Sequence, residues 1–437
     1  MNPTESTDFS PVLLLETDLS RPLTDMHLVR PNSRKRYTRA QVLVRVYNSP
    51  IGQIYIERPS GEIDAGLLSQ LIWKDLQLEI NNYLKDNNLP LIDQMGTSAL
   101  SEVNVPAYMR SREKLLQDAP FVSVVVTTRN RPDSLEVTLR SISAVKYPRF
   151  EIIIVDNAPS NDDTVKLVER LTLEYKNLRY VRESHKGLCW ARNRGMEEAQ
   201  GTITVFTDDD VLVDQDWLTA LMQGFRKGDS VACVTGLILP RELETPAQVW
   251  CEEHGGFGKG FNSQIFDLTT HRPADPLFPY RLSMFGSGAN MGFQTDIIRQ
   301  FGGCDPAFGA GTPTRSGAEF PAFYNVIMNN YQIVYQPDAI VYHSHHEQYE
   351  RFRNQFYGYG VGFTAFLTKC IIENPKTILD LLKRFIYGLY FIFNPKSPRH
   401  TKKKAGYPKE LNQLEILGML YGPIAYFRSW YLIRKIK

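Results

Sequence analysis

Three consecutive carboxylates, Asp208-Asp209-Asp210, close an apolar, β-branched run, Thr202-Ile203-Thr204-Val205-Phe206-Thr207. Neighbouring carboxylates repel one another unless a cation or ligand sits among them. An all-oxygen donor set favours a hard divalent ion such as Mg²⁺ or Mn²⁺, and such an ion is suited to carry a diphosphate. A solvated acidic turn ahead of a helix has the same spelling, so this stretch alone leaves both readings open.

The elements that must position these carboxylates can be read outward from them. A continuous apolar run of strand length suits a strand buried on both faces of a parallel sheet. In open α/β sheets the ligand crevice lies at the carboxyl ends of such strands. A second buried-type run, Phe121-Val122-Ser123-Val124-Val125-Val126, ends in Thr127-Thr128-Arg129-Asn130-Arg131-Pro132. Pro132 then opens an amphipathic helix to about residue 144. A strand over 151–155 ends in Asp156-Asn157, about thirty residues on, which is the size of a βαβ unit. A helix over 162–175, a strand over 178–182 and a helix over 188–199 lead into the Asp208 strand. This alternation predicts an α/β fold with a doubly wound, mostly parallel sheet. The polar strand ends Thr127 to Arg131, Asp156 and Asp208 to Asp210 would then converge on one crevice.

Around this core the chain is less regular. Residues 1–35 are polar and turn-rich and predict an irregular segment. Strands over 41–47 and 53–57, with a turn at Asn48-Ser49-Pro50-Ile51-Gly52, precede a helix over 64–87, so 36–95 reads as a small accessory β-β-α unit. Further on come a strand over 231–239, a helix within 245–260 and a short helix over 296–301. The stretch Gly286-Ser287-Gly288-Ala289-Asn290-Met291-Gly292 surrounds Asn290 with small residues, which permits close backbone approach to a ligand. Residues 309–317 form a loop rich in Gly, Thr and Pro. A helix over 320–329 and a strand over 333–335 precede the run 339–342, which ends in His343-Ser344-His345-His346. The proposed bounds are 118–350 for the main domain and 351–437 for an aromatic, basic helical end.

Composition narrows the function classes. Of 437 residues 43% are hydrophobic and 22% charged, ordinary values for a globular chain, and the net charge of +2 makes no case for nucleic-acid binding. Residues 394–437 carry a net +8, which leaves about −6 for the rest. The five cysteines are scattered, with no CxxC, so neither a disulfide framework nor a zinc site is indicated and a reducing cytoplasm is the expected setting. No run reaches the ~18 apolar residues that span a bilayer. Basic residues, including Lys402-Lys403-Lys404, flank the apolar stretches of 378–437. That pattern suits either an interfacial anchor on the inner face of a membrane or a helical hairpin packed on the main domain.

The order of these elements resembles the GT-A-fold, family 2 inverting glycosyltransferases over about 120–370. The resemblance rests on Val124-Val125-Val126-Thr127-Thr128-Arg129-Asn130-Arg131-Pro132, the strand ending at Asp156, Gly187-Leu188-Cys189-Trp190-Ala191-Arg192-Asn193-Arg194-Gly195 and Asp208 to Asp210. It continues through Gly288-Ala289-Asn290-Met291, Gly302-Gly303-Cys304-Asp305, His343 and Tyr357-Gly358-Tyr359-Gly360-Val361-Gly362. It implies a nucleotide-diphosphate-sugar donor, a hydroxyl acceptor on a glycan or lipid-linked glycan, and a divalent metal, Mn²⁺ or Mg²⁺. Thr127, Thr128, Arg129, Arg131, Asp156, Arg192, Asp208, Asp209 and Asn290 would then bind the donor. Asp208 and Asp210 would hold the metal, with His343 as a further ligand. The family's base is the Asp of a Glu-Asp pair, and here Ala318-Glu319 stand in those places. Glu319 would be the base, one methylene longer than the family's Asp, and a displacement near ~1 Å can cost about a hundredfold in rate. Two rivals share parts of the pattern. A nucleotidyltransferase would usually carry a glycine-rich phosphate loop after its first strand, and Thr127 to Pro132 contains no Gly. A non-catalytic sugar-nucleotide-binding protein would explain the Ala318-Glu319 departure.

Overall fold

Asp208 ends its strand directly beside Thr127, and Thr128 stands beside Asp156, because three parallel strands share one register. These strands, Val122–Thr128, Phe150–Asn157 and Ile203–Asp208, form the centre of a nine-stranded sheet in the computed structural model. The structure describes residues 9–30, 35–100, 106–400 and 407–436. The side-chain period of two sends Val125, Ile153, Val155 and Phe206 to one face and Val124, Val126, Ile152 and Ile154 to the other. The helices Pro132–Ser143 and Asp163–Leu171 cover the second face with Leu135, Leu139, Leu167 and Val168. Helix Leu188–Glu198 covers the first with Cys189, Ala191 and Met196. The expected doubly wound α/β sheet is therefore present. Its strand order places Val122–Thr128 between Phe150–Asn157 and Ile203–Asp208. The chain thus winds one way from the first strand and returns on its other side, and ligands bind at such a switch point.

Beyond the Asp208 strand the sheet turns mixed. Met291–Gln294 runs antiparallel between Ile203–Asp208 and Val231–Pro240, and Gln332–His343 then pairs parallel with Val231–Pro240. The sequence suggests a break at Pro337, yet Gln332–His343 is one twelve-residue strand. A register shift opposite Gly236 and Leu237 takes up the proline, which has no N–H for the ladder. The helix expected within 245–260 is limited to Pro246–Glu253, capped by Thr245 and Gln248 in a reciprocal box.

The N-terminal unit also differs from expectation. Val12–Asp18 is a strand, not an irregular segment, and it pairs parallel with Arg39–Val46. The hairpin turn is Tyr47-Asn48, both at positive φ (50° and 69°), so Ser49 to Gly52 belong to the second strand, Ser49–Glu57. The Asp18 carboxylate accepts from both turn N–H groups, at 3.0 and 2.7 Å, which fixes that conformation. Helix Ala65–Asp86 closes this unit's own core with Leu68, Ile72 and Leu76. Arg45 locks the unit to the large sheet. Its guanidinium, 8% exposed, meets Asp214 at 2.9 Å and donates to the Tyr342 hydroxyl at 2.7 Å.

The C-terminal region is helical, over Tyr349–Glu373, Thr377–Phe393 and Lys409–Arg434. The first and third of these pack at backbone distance. A Cβ on Gly360 would strike the Glu415 carbonyl oxygen, and one on Gly418 the Tyr357 carbonyl oxygen. The middle helix buries only Thr377 and exposes Leu382, Phe385 and Ile386. Among the described residues no helix is long and apolar enough to cross a membrane. Lys402-Lys403-Lys404 lie outside the described residues.

Replacing Arg45 with Met should leave Asp214 buried without its cation, at a cost of about 3 kcal/mol. A urea titration of the folded protein should show an earlier unfolding midpoint. An unchanged midpoint would mean that Arg45 does not hold the two units together.

Candidate active site

The three carboxylates at the end of Ile203–Asp208 point in different directions and meet different partners. Asp208 stays partly open, with Arg192 Nη2 at 3.3 Å from its Oδ1. Arg192 is 2% exposed and also donates to the Gly288 carbonyl oxygen at 3.0 Å. Its Nε and Nη1 are buried without a hydrogen-bond partner. Burial of unpaired guanidinium donors is costly, so this arginine is a fixed cation with spare donors beside Asp208.

Asp209, expected to bind the donor, is turned inward. Its two oxygens accept from Thr128 Oγ1 at 2.7 Å and Arg131 Nη1 at 2.6 Å, and the side chain is buried. Burial pushes its carboxyl up to about 7, against the Arg131 charge. Its main-chain carbonyl accepts from Ser134 Oγ at 2.7 Å, tying the Asp turn to the start of helix Pro132–Ser143. Asp209 therefore shapes the turn that presents its two neighbours.

Asp210 is shared between Arg131, whose Nη2 reaches Oδ2 at 2.9 Å, and His343, whose Nε2 lies 3.5 Å from Oδ1. At 3.5 Å the histidine contact is a charge contact rather than a good hydrogen bond, and Asp210 Oδ1 is buried with no hydrogen-bond partner. One ligand atom each of Asp208, Asp210 and His343 lies within 4.8 Å of the others. Two carboxylates, one neutral nitrogen donor and an unfilled buried oxygen fit a divalent ion. Burial pushes the His343 imidazole down, against the pull of Asp210, and so favours its neutral, ligating form.

A support for His343 lies far away in sequence. His345 Nδ1 is 3.1 Å from His343 Nδ1, and His345 Nε2 is 2.8 Å from Glu252 Oε1. The Glu252–His345 pair braces the His343 ring from behind, as outer partners of metal-bound histidines do. Glu252 was not legible as a site residue, since it acts only through the packing of helix Pro246–Glu253 against the histidine segment.

Glu319 is the residue before helix Phe320–Met328, a turn that begins at Gly317 with φ 76°. Burial, opposed by the Arg192 charge and by the residue's own backbone N–H, raises its pKa. Ala318 beside it is buried and packs under Gly309. Glu319, Arg192, Asp208 and His343 all line one cavity of about 1620 Å³.

The remaining expected donor contacts divide. Asp156 is buried, with one oxygen accepting from the Tyr180 hydroxyl at 3.0 Å and Oδ1 unpartnered. Thr127 lies in the register beside Asp208, and exposed Arg129 reaches only the Ala158 carbonyl at 3.3 Å. Arg131, 49% exposed, is engaged by Asp209 and Asp210. Asn290, expected to bind the donor, has its amide engaged within the protein. Its amide accepts from Trp217 Nε1 at 2.9 Å and donates to the Leu237 and Ala339 carbonyls at 3.0 and 2.8 Å. It is fully buried and cross-links strands, and the small residues around it make room for that link.

Comparison with known proteins adds to this geometry. Residues 123–300 match the model of the glycosyl transferase family 2. Glycosyltransferase AglE of Haloferax volcanii is 32% identical over 102 residues, 23% of this chain and 33% of that protein. The GalNAc(5)-diNAcBac-PP-undecaprenol beta-1,3-glucosyltransferase of Campylobacter jejuni is 33% identical over 111 residues, 25% of this chain and 36% of that protein. The chain thus spans about a third of the length of these curated relatives. A solved structure, the mannosyltransferase PcManGT of Pyrobaculum calidifontis with GDP-Man and Mn²⁺, is 19% identical, with a TM-score of 0.43. That similarity covers 75% of this chain and 81% of the other, and it is too remote to carry residue roles across.

Removing one ligand should weaken Mn²⁺ binding. Asp210→Asn and His343→Ala should each raise the Mn²⁺ dissociation constant at least about tenfold, read by electron paramagnetic resonance of free Mn²⁺. Asn290→Ala should leave Mn²⁺ affinity unchanged and lower stability by about 2 kcal/mol. Equal Mn²⁺ affinity in all three variants would remove the metal assignment.

Proposed function

We propose that the chain, whose residues 123–300 match the model of the glycosyl transferase family 2, is a metal-dependent, inverting glycosyltransferase of glycan biosynthesis. It moves a sugar from a nucleotide-diphosphate-sugar donor to a hydroxyl acceptor. The observation that carries this reading is the joint lining of one cavity by Asp208, His343, Arg192 and Glu319.

Asp208, Asp210 and His343 hold the divalent ion, Mn²⁺ or Mg²⁺. When bound, that ion offsets the negative charge that grows on the departing diphosphate. Arg192 adds a permanent charge next to Asp208, which favours an anionic diphosphate there. Arg131 keeps Asp209 and Asp210 in place and offsets their charge. Thr127, Thr128 and Asp156 shape the strand ends where the nucleotide lies. Glu319 takes the proton from the acceptor hydroxyl as its oxygen attacks the anomeric carbon. The bond from that carbon to the diphosphate oxygen breaks, and its electron pair leaves with the diphosphate. Attack from the side opposite the leaving group inverts the anomeric centre. A base held by burial above the ordinary carboxylate range suits this task better than a fully solvated one.

Membrane contact belongs to the same reading. The helices Thr377–Phe393 and Lys409–Arg434 expose Leu382, Ile386, Leu420 and Phe427 in a region with net positive charge, a pattern suited to an anionic interface on the cytoplasmic side.

Glu319→Gln should lower kcat at least about a thousandfold with little change in donor KM, because only the proton acceptor is lost. In the wild type, kcat/KM should fall as pH drops through the raised Glu319 pKa, since the base must be ionised. Near-normal turnover by Glu319→Gln, assayed with a panel of nucleotide sugars and Mn²⁺, would reject Glu319 as the base.

A further inference from the structure

The cavity at the candidate active site is larger than a nucleotide sugar needs. Ligand pockets commonly measure about 300–1,000 Å³, whereas this one is about 1620 Å³ and continues from Glu319 and His343 under the C-terminal helices. Its wall along helix Tyr349–Glu373 includes a stripe of every fourth residue, Arg351, Gln355, Tyr359, Phe363, Leu367 and Ile371, with Thr364 and Thr368 beside it. Residues four apart stack along one side of a helix. That stripe grades from a cation, through an amide and a phenol, to three hydrocarbon side chains. Twenty residues of helix measure about 30 Å.

The opposite wall repeats the apolar end. Leu381, Phe385 and Leu389 of helix Thr377–Phe393, again four apart, line the same cavity as an open side, with Phe385 58% exposed. A Cβ on Gly388 of that helix would meet nothing within 4 Å. At the polar end, Arg351 and Arg315 line the cavity. Arg315 is held over the Tyr357 ring at 5.0 Å, four residues before Glu319.

We propose that this cavity binds the acceptor as a lipid phosphate. Its anionic group lies at Arg315 and Arg351, and its hydrocarbon chain lies between helices Tyr349–Glu373 and Thr377–Phe393. The proposal rests on the glycosyltransferase reading, because it names the acceptor class of that site. The order of groups suits transfer. A sugar hydroxyl meets Glu319, the phosphate meets the arginines just beyond, and the chain fills the apolar arm. Hydrocarbon buried there gains roughly 25 cal/mol per Å² removed from water. A water-soluble glycan acceptor would gain nothing from the arm.

The test is binding without any nucleotide, so that it succeeds or fails independently of donor chemistry. The full chain is titrated calorimetrically with geranylgeranyl phosphate and hexadecyl phosphate below their micellar concentrations. Geranylgeraniol and inorganic phosphate are the controls. Both lipid phosphates should bind saturably, and both controls at least about tenfold more weakly. Leu367→Glu and Leu389→Glu, which put a charge into the apolar arm, should weaken the lipid phosphates at least about tenfold. Arg351→Ala should weaken the lipid phosphates and leave geranylgeraniol unchanged. Ile386→Glu, on the solvent side of the same helix and 81% exposed, should weaken adsorption to phosphatidylglycerol vesicles but leave cavity binding intact. Absence of saturable lipid-phosphate binding would overturn the proposal, as would equal binding of geranylgeraniol. A loss in Ile386→Glu as large as in Leu389→Glu would mean surface adsorption only and would overturn it too. Leu389 is 41% exposed, so its variant is expected to fold, and circular dichroism confirms this for every variant.

Discussion

Three carboxylates at the end of one strand must be kept from repelling one another, and much of the surrounding structure answers that constraint. Asp209 is drawn inward by Thr128 and Arg131, Asp208 is matched by the buried guanidinium of Arg192, and Asp210 is divided between Arg131 and His343. After this sharing, Asp210 Oδ1 still has no hydrogen-bond partner. Two arginines lower the cost of assembling the acidic site, and the proposed divalent ion would meet the deficit that remains.

The fold brings these groups together through register rather than through loops. Thr127 beside Asp208 and Thr128 beside Asp156 follow from the parallel pairing of three strands whose apolar residues are buried on both faces. The long strand Gln332–His343 carries His343 to the Asp turn through its pairing with Val211–Val213, where His343 stands opposite Val211. The C-terminal helices then extend the site into a graded cavity. On the proposed reading, the same chain supplies a charged centre for a diphosphate and an apolar arm leading away from it.

Much of this was legible in the sequence because it depends on local pattern. An apolar run ending in carboxylates marks both a buried strand and the mouth of a site, so Asp208 and Asp210 could be named together with the α/β sheet. What could not be read depends on contacts distant in sequence. Small residues around Asn290 look the same whether they admit a ligand or a buried cross-link, and the Trp217 indole that settles the matter lies 73 residues away. Glu252 lies 93 residues from His345, through which it supports His343. Val12–Asp18 was hidden because its second half, Glu16-Thr17-Asp18, is polar, as an edge strand permits. Pro337 implied a break that a neighbouring register shift absorbs.

The central claim is that Asp208, Asp210 and His343 together hold a divalent ion that carries the nucleoside diphosphate. Pulsed electron paramagnetic resonance of Mn²⁺ bound to the full chain, with UDP and GDP tested in turn, addresses it directly. The account expects ³¹P coupling from one of the two nucleotides, together with a ¹⁴N coupling that disappears in His343→Ala. Bound Mn²⁺ with ³¹P coupling but no ¹⁴N coupling would contradict the ligand set, and no Mn²⁺-dependent nucleotide signal at all would contradict the claim as a whole.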